Sequence, residues 1–387
     1  MNLPEHLMGY RRSDGRSGVR NLVVAMAAAD NVNPLLPHLQ ARCPGIVTLP
    51  ASYGRGQLGE DLEITLRTMA GLAAHPNVAG CLVVAFERAS AERILARVTE
   101  RRDDLRPLSF LEAGGMEQCI SAAEGHIADL VALASRQERV PLGWSDLVFG
   151  LECGGSDTTS GLYANPALGR LSDQLHERGA TLVFSEPVEC LGGEANLTAR
   201  ARTPAAARAM LKAVRGFETI ARDAGIDLTG VNPTADNIAG GLTTIEEKSL
   251  GAIAKTGTAP IEGCVGYGEA PDGVGLWMMD APAAAVENLT ALAAGGCQIT
   301  GFVTGSGNPI GHTIMPTLKI TANQHTVETM PDHVDVALSQ QFASGVDLDE
   351  SASLIAGTLV SIANGKPTAA ENLGYLHSNI SRFGKSV

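Results

Sequence analysis

"VAGCLVVAF", residues 78–86, carries no charge and is rich in valine, and its reading decides the fold. A short apolar run of this composition is a strand buried on both faces. Upstream, "EDLEITLRTMAGLAAH" (60–75) has the period of a helix, and downstream "SAERILARVTERR" (90–102) repeats it. Towards the N-terminus, "NLVVAMAAA" (21–29) is strand-like, "NPLLPHLQARC" (33–43) a short helix, and "GIVTLP" (45–50) strand-like again. Strands alternating with helices predict an α/β fold, with parallel sheets covered by helices.

The alternation restarts at "SDLVFGLEC" (145–153), passes through "NPALGRLSDQLHERG" (165–179) and reaches "ATLVFSEPVEC" (180–190). A long helix is expected over 203–225, then the loop "VNPTADNIAGG" (231–241). A third stretch runs from about 259 through "GLWMMD", "AAAVENLTALAAGG" and "CQITGFVTGSG", and the last helix over 348–365. Two or more Rossmann-like layered units are predicted. The boundary is expected in "SRQERVPLGWSD", giving an N-terminal unit 1–140 and a C-terminal unit 141–387 that carries most of the acidic site loops.

The 387 residues can bury a large core, and 44% hydrophobic with 18% charged content is ordinary for a globular chain. A formal charge of −13 argues against nonspecific nucleic-acid binding, which needs a basic face. No apolar run is long enough to span a membrane, and "MNLPEHLMGYRR" lacks the apolar core of a signal peptide. Seven scattered cysteines without CxxC spacing form neither a disulfide framework nor a zinc pattern. A cytoplasmic location with reduced thiols is expected.

Chemistry in such sheets gathers in loops beyond the carboxyl ends of strands. Four glycine-rich polar loops stand there: "PASYGRGQLGED" (50–61), "LECGGSDTTSG" (151–161), "SEPVECLGGE" (185–194) and "VTGSGNPIGH" (303–312). Together they predict one shared cleft. Cys153 is a buried small side chain, a metal ligand or a nucleophile, and its burial is the ordinary reading for a free cysteine. Glu186, Glu189 and Glu194 crowd one loop, and a metal, arginines or plain solvent must relieve the repulsion. In "TTIEEKSLG" (243–251), threonine capping explains Glu246 and Glu247 better than it explains Lys248. His312 is left outside the site. There is no Walker A pattern, no GxGxxG after the first strand and no GxSxG elbow, so nucleotide binding and α/β-hydrolase chemistry are unsupported.

"GYRRSDGRSGVRN" (9–21) places four arginines before the first long strand of an acidic chain. Arg16 and Arg20 would bind substrate anions or pair with acids at the cleft. Alternatively, Asp14 and Arg16 lock the turn. Arg11 and Arg12 read as surface charge.

This stretch, with "ECGGSDTTSGLYANPALG", "SEPVECLGGE" and "NIAGGLTTIEEKSLG", resembles the altronate/galactarate dehydratase family over nearly the whole chain. The sugar-acid dehydratases carry a "THGxGCG"-like loop after the second strand and a "GCE" motif after the third. This sequence has "ASYGRGQLGED" and "VAFERAS" there, and so looks closer to the sulfo-lyase branch. The resemblance implies a lyase that removes the C2 proton of a small 2-hydroxycarboxylate and expels a C3 group, giving a 2-oxo acid. The branch implies (2R)-sulfolactate giving pyruvate and sulfite. A sugar-acid hydro-lyase is the alternative, and a noncatalytic anion-binding or scaffold homologue the second.

The family further implies a divalent metal, Fe2+ by its habit, with Mn2+ or Mg2+ open. It also implies a small β-rich domain, expected here as a separate subunit because the chain starts directly at "GYRR", and an oligomer. Cys153, Glu186 and Glu189 are the expected metal ligands. Lys248, Glu247 and Arg55 are the expected catalytic residues. Arg16, Arg20, Tyr53, Gln57, Ser156, Asp157 and Asn237 are the expected substrate binders.

Overall fold

The computed structural model describes residues 3–98, 102–226 and 232–387. Two parallel sheets carry the chain. In the first, Val47–Leu49, Leu22–Ala27, Val78–Ala85 and Leu105–Ser109 lie side by side in that order. Val78–Ala85 is buried at every position, as its uncharged sequence requires. The helix Met116–Ser135, which the reading of alternation passed over, packs on Val78–Ala85 and Leu22–Ala27.

The second sheet has seven parallel strands, in the order Ile261–Val265, Leu276–Met279, Thr181–Phe184, Val148–Cys153, Ile299–Val303, Thr317–Thr321 and Val336–Ala337. The chain leaves the central strand Val148–Cys153 to one side through Thr181–Phe184, and returns on the other side at Ile299–Val303. Strand order therefore reverses between Val148–Cys153 and Ile299–Val303, and a crevice is expected beyond their carboxyl ends. In the first sheet the corresponding reversal lies between Leu22–Ala27 and Val78–Ala85.

The two sheets are not independent. One buried core runs from Val24, Leu82 and Ile127 into Val183, Met279, Leu292 and Met315. The helix Gly59–Ala73 packs on Ala285–Ala294 across this seam. At the seam, the His75 ring meets the Cys297 carbonyl at 2.9 Å and accepts from the Asn77 N–H at 3.0 Å. Asn77 donates to the Gln298 and Ile314 carbonyls and accepts from the Val19 N–H.

The opening arginines are built into this frame. Leu7–Arg11 pairs antiparallel with both Ser17–Gly18 and Val140–Leu142. Arg12, expected at the surface, is only 3% exposed. Its guanidinium donates to the Pro76 and Arg20 carbonyls and to Asn21 and Gln137, because it fills the gap between the loop and the first unit. Arg11 stays at the surface and pairs with Asp146 at 2.6 Å.

Candidate active site

The carboxyl ends of the central strands deliver charge into the core. Cys153 closes the strand Val148–Cys153, and Glu186 and Glu189 follow Thr181–Phe184. Glu186 is the one non-glycine residue with positive φ among the described residues, at 67°. This left-handed conformation costs about 1–2 kcal/mol and turns its carboxylate back beneath Cys153. One oxygen of Glu186 lies 3.4 Å from the Cys153 amide, and the Cys153 thiol lies 3.4 Å from Glu189.

Two lysines join them. Lys248 sits one turn into the helix Ile245–Ile253; its ammonium lies 2.8 Å from Glu189 and donates to Asn232 at 2.7 Å. Lys255, in the turn Ala254–Thr256, reaches both Cys153 Sγ and Glu186 at 3.0 Å. All five side chains are buried. Glu189 and Lys248 retain the most exposure, at 4% and 8%, so solvent is nearest on their side.

Burial, followed by the neighbouring charge of Glu189, raises the Glu186 carboxyl to about 7, although Lys255 counteracts both. Burial also pushes the Cys153 thiol up, against the pull of Lys255. For Lys255 and Lys248 burial works against the charge, but the acidic groups around each outweigh it, and both remain ammonium.

A further pair lies along the sheet. Glu152, Phe302 and Lys319 stand in register on three adjacent strands. Both Glu152 oxygens and Lys319 Nζ are buried without a hydrogen-bond partner, and Lys319 Nζ rests 3.3 Å above the Phe302 ring centroid. Burial drives the Lys319 amine well below its ordinary range; burial and then Glu186 drive Glu152 upward.

Cys153, Glu186 and Glu189 fit a metal ion. Their donor atoms lie within 4.8 Å of one another, and Glu186 Oε1 is buried with no partner. One thiolate with two carboxylates suits a borderline first-row dication better than a hard ion such as Mg2+.

Two regions of the chain match known families at this point. Residues 9–135 match the second domain of D-galactarate dehydratase/altronate hydrolase, and 144–386 the C-terminal domain of D-galactarate/altronate dehydratase. The chain belongs to the D-galactarate/altronate dehydratase family. It is 38% identical to the (2R)-sulfolactate sulfo-lyase subunit beta of Chromohalobacter salexigens, over 98% of each chain. It is 32% identical to the altronate dehydratase of Escherichia coli, over 98% of this chain and 78% of that one. With the altronate dehydratase of Bacillus subtilis it shares 34% over 84% of this chain and 67% of the other. These relatives are lyases, and so is this family member.

The structure brings together Cys153, Glu186, Glu189 and Lys248. The other expected residues have partners or places of their own. Glu247 is exposed and caps its own helix, accepting from the Thr243 N–H and hydroxyl at 2.8 and 2.7 Å. Asp157 accepts from Ser160, Thr159 and Asn323, which ties its loop to the next helix. Asn237 joins a capping box with Thr234 and donates to the Ser156 carbonyl, so Ser156 and Asn237 brace each other's loops. Arg16 pairs with Asp14 and donates to the Ala74 carbonyl, and Arg20 pairs with Glu371 at 2.8 Å. Tyr53, Arg55 and Gln57 line a separate cleft in the first unit, and none of its lining residues belongs to the seven-stranded sheet. His312, left outside the site, is buried, and burial holds its ring neutral with a pKa of about 3.

Sequence reasoning missed Lys255 and Lys319, and assigned no role to Glu152. All three share a signal. Each is a charge in an otherwise apolar or small-residue run, in "AIAKTG", "TLKIT" and "FGLEC". Such charges seldom go inside without partners or a use.

Proposed function

We propose that the chain is the large subunit of a cytoplasmic lyase that converts (2R)-sulfolactate to pyruvate and sulfite. The buried cluster of one thiol, two carboxylates and two lysines supports the reaction class. The full-length match to a protein named as a sulfo-lyase subunit supports the leaving group. The same match supports a separate small subunit. No described helix is long and apolar enough to cross a membrane, and all seven cysteines are free.

The C2 proton of a 2-hydroxycarboxylate is very weakly acidic, so the enediolate that forms on its removal needs electrostatic help. Cys153, Glu186 and Glu189 would hold a divalent metal, Fe2+ in this reading, which would supply Lewis-acid stabilisation of that developing charge. Lys248, on the side nearest solvent, accepts the C2 proton. It can do so only once Glu189 is engaged by another charge, because Glu189 otherwise holds the ammonium form. Lys255 keeps Cys153 and Glu186 in position. As the enediolate collapses, its electron pair forms the C2–C3 double bond and the C3–S pair departs on sulfite. The enol left behind then tautomerises to pyruvate. Sulfite is a stabilised anion and leaves without a general acid.

A hydro-lyase acting on a sugar acid is the second reading, favoured by the altronate dehydratase matches. The test is to reconstitute the protein with a small subunit under anaerobic conditions. Sulfite and pyruvate from (2R)-sulfolactate are then measured beside keto-acid formation from altronate and galactarate. Sulfite release with little sugar-acid turnover is expected. Efficient dehydration without sulfite would replace the first reading with the second.

A further inference from the structure

The four-stranded sheet has its own reversal of strand order, and a cleft of about 390 Å³ opens at that point. Ala28 and Ala29 follow one of the two strands that flank the reversal, and Glu87 follows the other. The loop carrying Tyr53, Arg55 and Gln57 closes one side. Ala89 and Ser90, from the first turn of the helix Arg88–Leu95, line another. This is where open parallel sheets bind ligands, and the volume suits a small molecule.

The lining chooses the ligand's sign. Gln57 is only 7% exposed, yet its Nε2 donor has no hydrogen-bond partner; Thr65 is 8% exposed and its hydroxyl is likewise unpartnered. A buried donor without an acceptor is costly, and a ligand oxygen would relieve it. Two guanidiniums, Arg55 and Arg93, line the same cleft. Arg55 pairs with Glu87 at 2.5 Å; among the described residues Glu87 is the one acid in the lining and Arg93 has no ion-pair partner, while Asp30 stands behind the Gly54 wall. The helix start adds partial positive charge.

From this geometry we infer that the cleft is a second binding site, for a small organic anion bearing a carboxylate or sulfonate. Gln57 and Arg93 supply the unengaged donors, and Arg55 supplies a forked cation that the ligand shares with Glu87. The site is separate from the Cys153 cluster. The inference does not depend on which substrate is turned over there.

The probes are 3-sulfopropanoate, propanoate and inorganic phosphate. None of them has the 2-hydroxyl that the proposed elimination needs. Binding is measured by calorimetry on the full chain with its small subunit where one is present. The organic anions should bind, with 3-sulfopropanoate tighter than propanoate, and affinity should fall as salt is raised. Arg55→Gln with Arg93→Gln should weaken binding at least about tenfold, and Gln57→Leu several-fold, while Glu186→Gln leaves it unchanged. Arg55 and Arg93 are exposed, so the double variant should keep the wild-type melting temperature. The inference is overturned by no binding at millimolar concentration, by equal binding in the double variant, or by loss of binding in Glu186→Gln. Tighter binding of phosphate than of either organic anion would also overturn it, in favour of a phosphate site.

Discussion

At the scale of single residues, the cluster is a place where the fold accepts unfavourable electrostatics. Glu186 sits in a left-handed backbone conformation, close to Glu189 and Glu152, with its carboxyl raised to about 7. A carboxylate whose pKa rises on folding costs stability at neutral pH, because the unfolded chain holds the charge more easily. Removing that charge lifts this cost but takes a partner from the buried Lys255 ammonium, so the two effects oppose each other and stability should change little. Losing one strong electrostatic contact at a reaction centre typically lowers turnover by about 10²–10³. Glu186→Gln should show both effects together with a fall in bound metal. The checks are melting temperature, metal content by elemental analysis, and kcat of the reconstituted enzyme. A large fall in melting temperature with kcat retained would make Glu186 a structural residue only. Lys319 raises the same issue from the other side, since a buried amine over Phe302 has no hydrogen-bond partner to justify its burial.

At the scale of elements, the site depends on close backbone contacts. The helix Asn165–Glu177 approaches the turn that carries Lys255 so nearly that a Cβ on Gly169 would lie 2.1 Å from the Ala254 carbonyl oxygen. On the seam between the units, a Cβ on Gly71 would lie 2.3 Å from the Ala294 carbonyl oxygen. In both places the obstacle is backbone, which yields less readily than a side chain, and overpacking of this kind costs about 1–3 kcal/mol. Gly169→Ala and Gly71→Ala should each lower the melting temperature. Only Gly169→Ala moves Lys255, so only it should also lower kcat of the folded enzyme, and a circular dichroism melt beside an activity assay separates the two. Equal kcat in both variants would show that the Lys255 turn tolerates displacement.

At the scale of the whole molecule, two buried histidines make stability depend on pH. His75 spans the seam with both ring nitrogens engaged, and burial lowers its pKa from 6.5 to about 3. His312 is lowered to about 3 by the same cause. In each case the unfolded state binds the extra proton between pH 6.5 and 3. Their contribution is therefore complete above pH 6.5 and declines as pH falls through that window. The limiting slope is about 1.4 kcal/mol per pH unit for each ring. Glu186, raised to about 7, acts in the opposite sense below pH 7, because its folded form binds the extra proton there, and it offsets part of this loss. Urea unfolding at pH 7.5, 6.5 and 5.5 should therefore show His75→Asn losing less stability on acidification than the wild type. An unchanged slope in His75→Asn would mean that His75 does not titrate on unfolding as its burial requires.

The sequence by itself determined the layered α/β architecture, because uncharged runs such as 78–86 can only be satisfied by burial on both faces. It also fixed the short-range parts of the candidate site. Cys153 ends one strand and Glu186 and Glu189 come after another, and the position of a loop beyond a strand end is a local property. The threonine caps around Glu247 were legible for the same reason. Tertiary structure alone decided which loops meet. Lys255 joins Cys153 from 102 residues away in the chain, and Arg20 pairs with Glu371 across 351. It also separated Arg55 from the Cys153 cluster, although the similar glycine-rich loops gave no local sign of two clefts. Strand order, set by long-range packing of helices on two sheets, chose where each loop points, and nothing in the pattern of a single segment records that order.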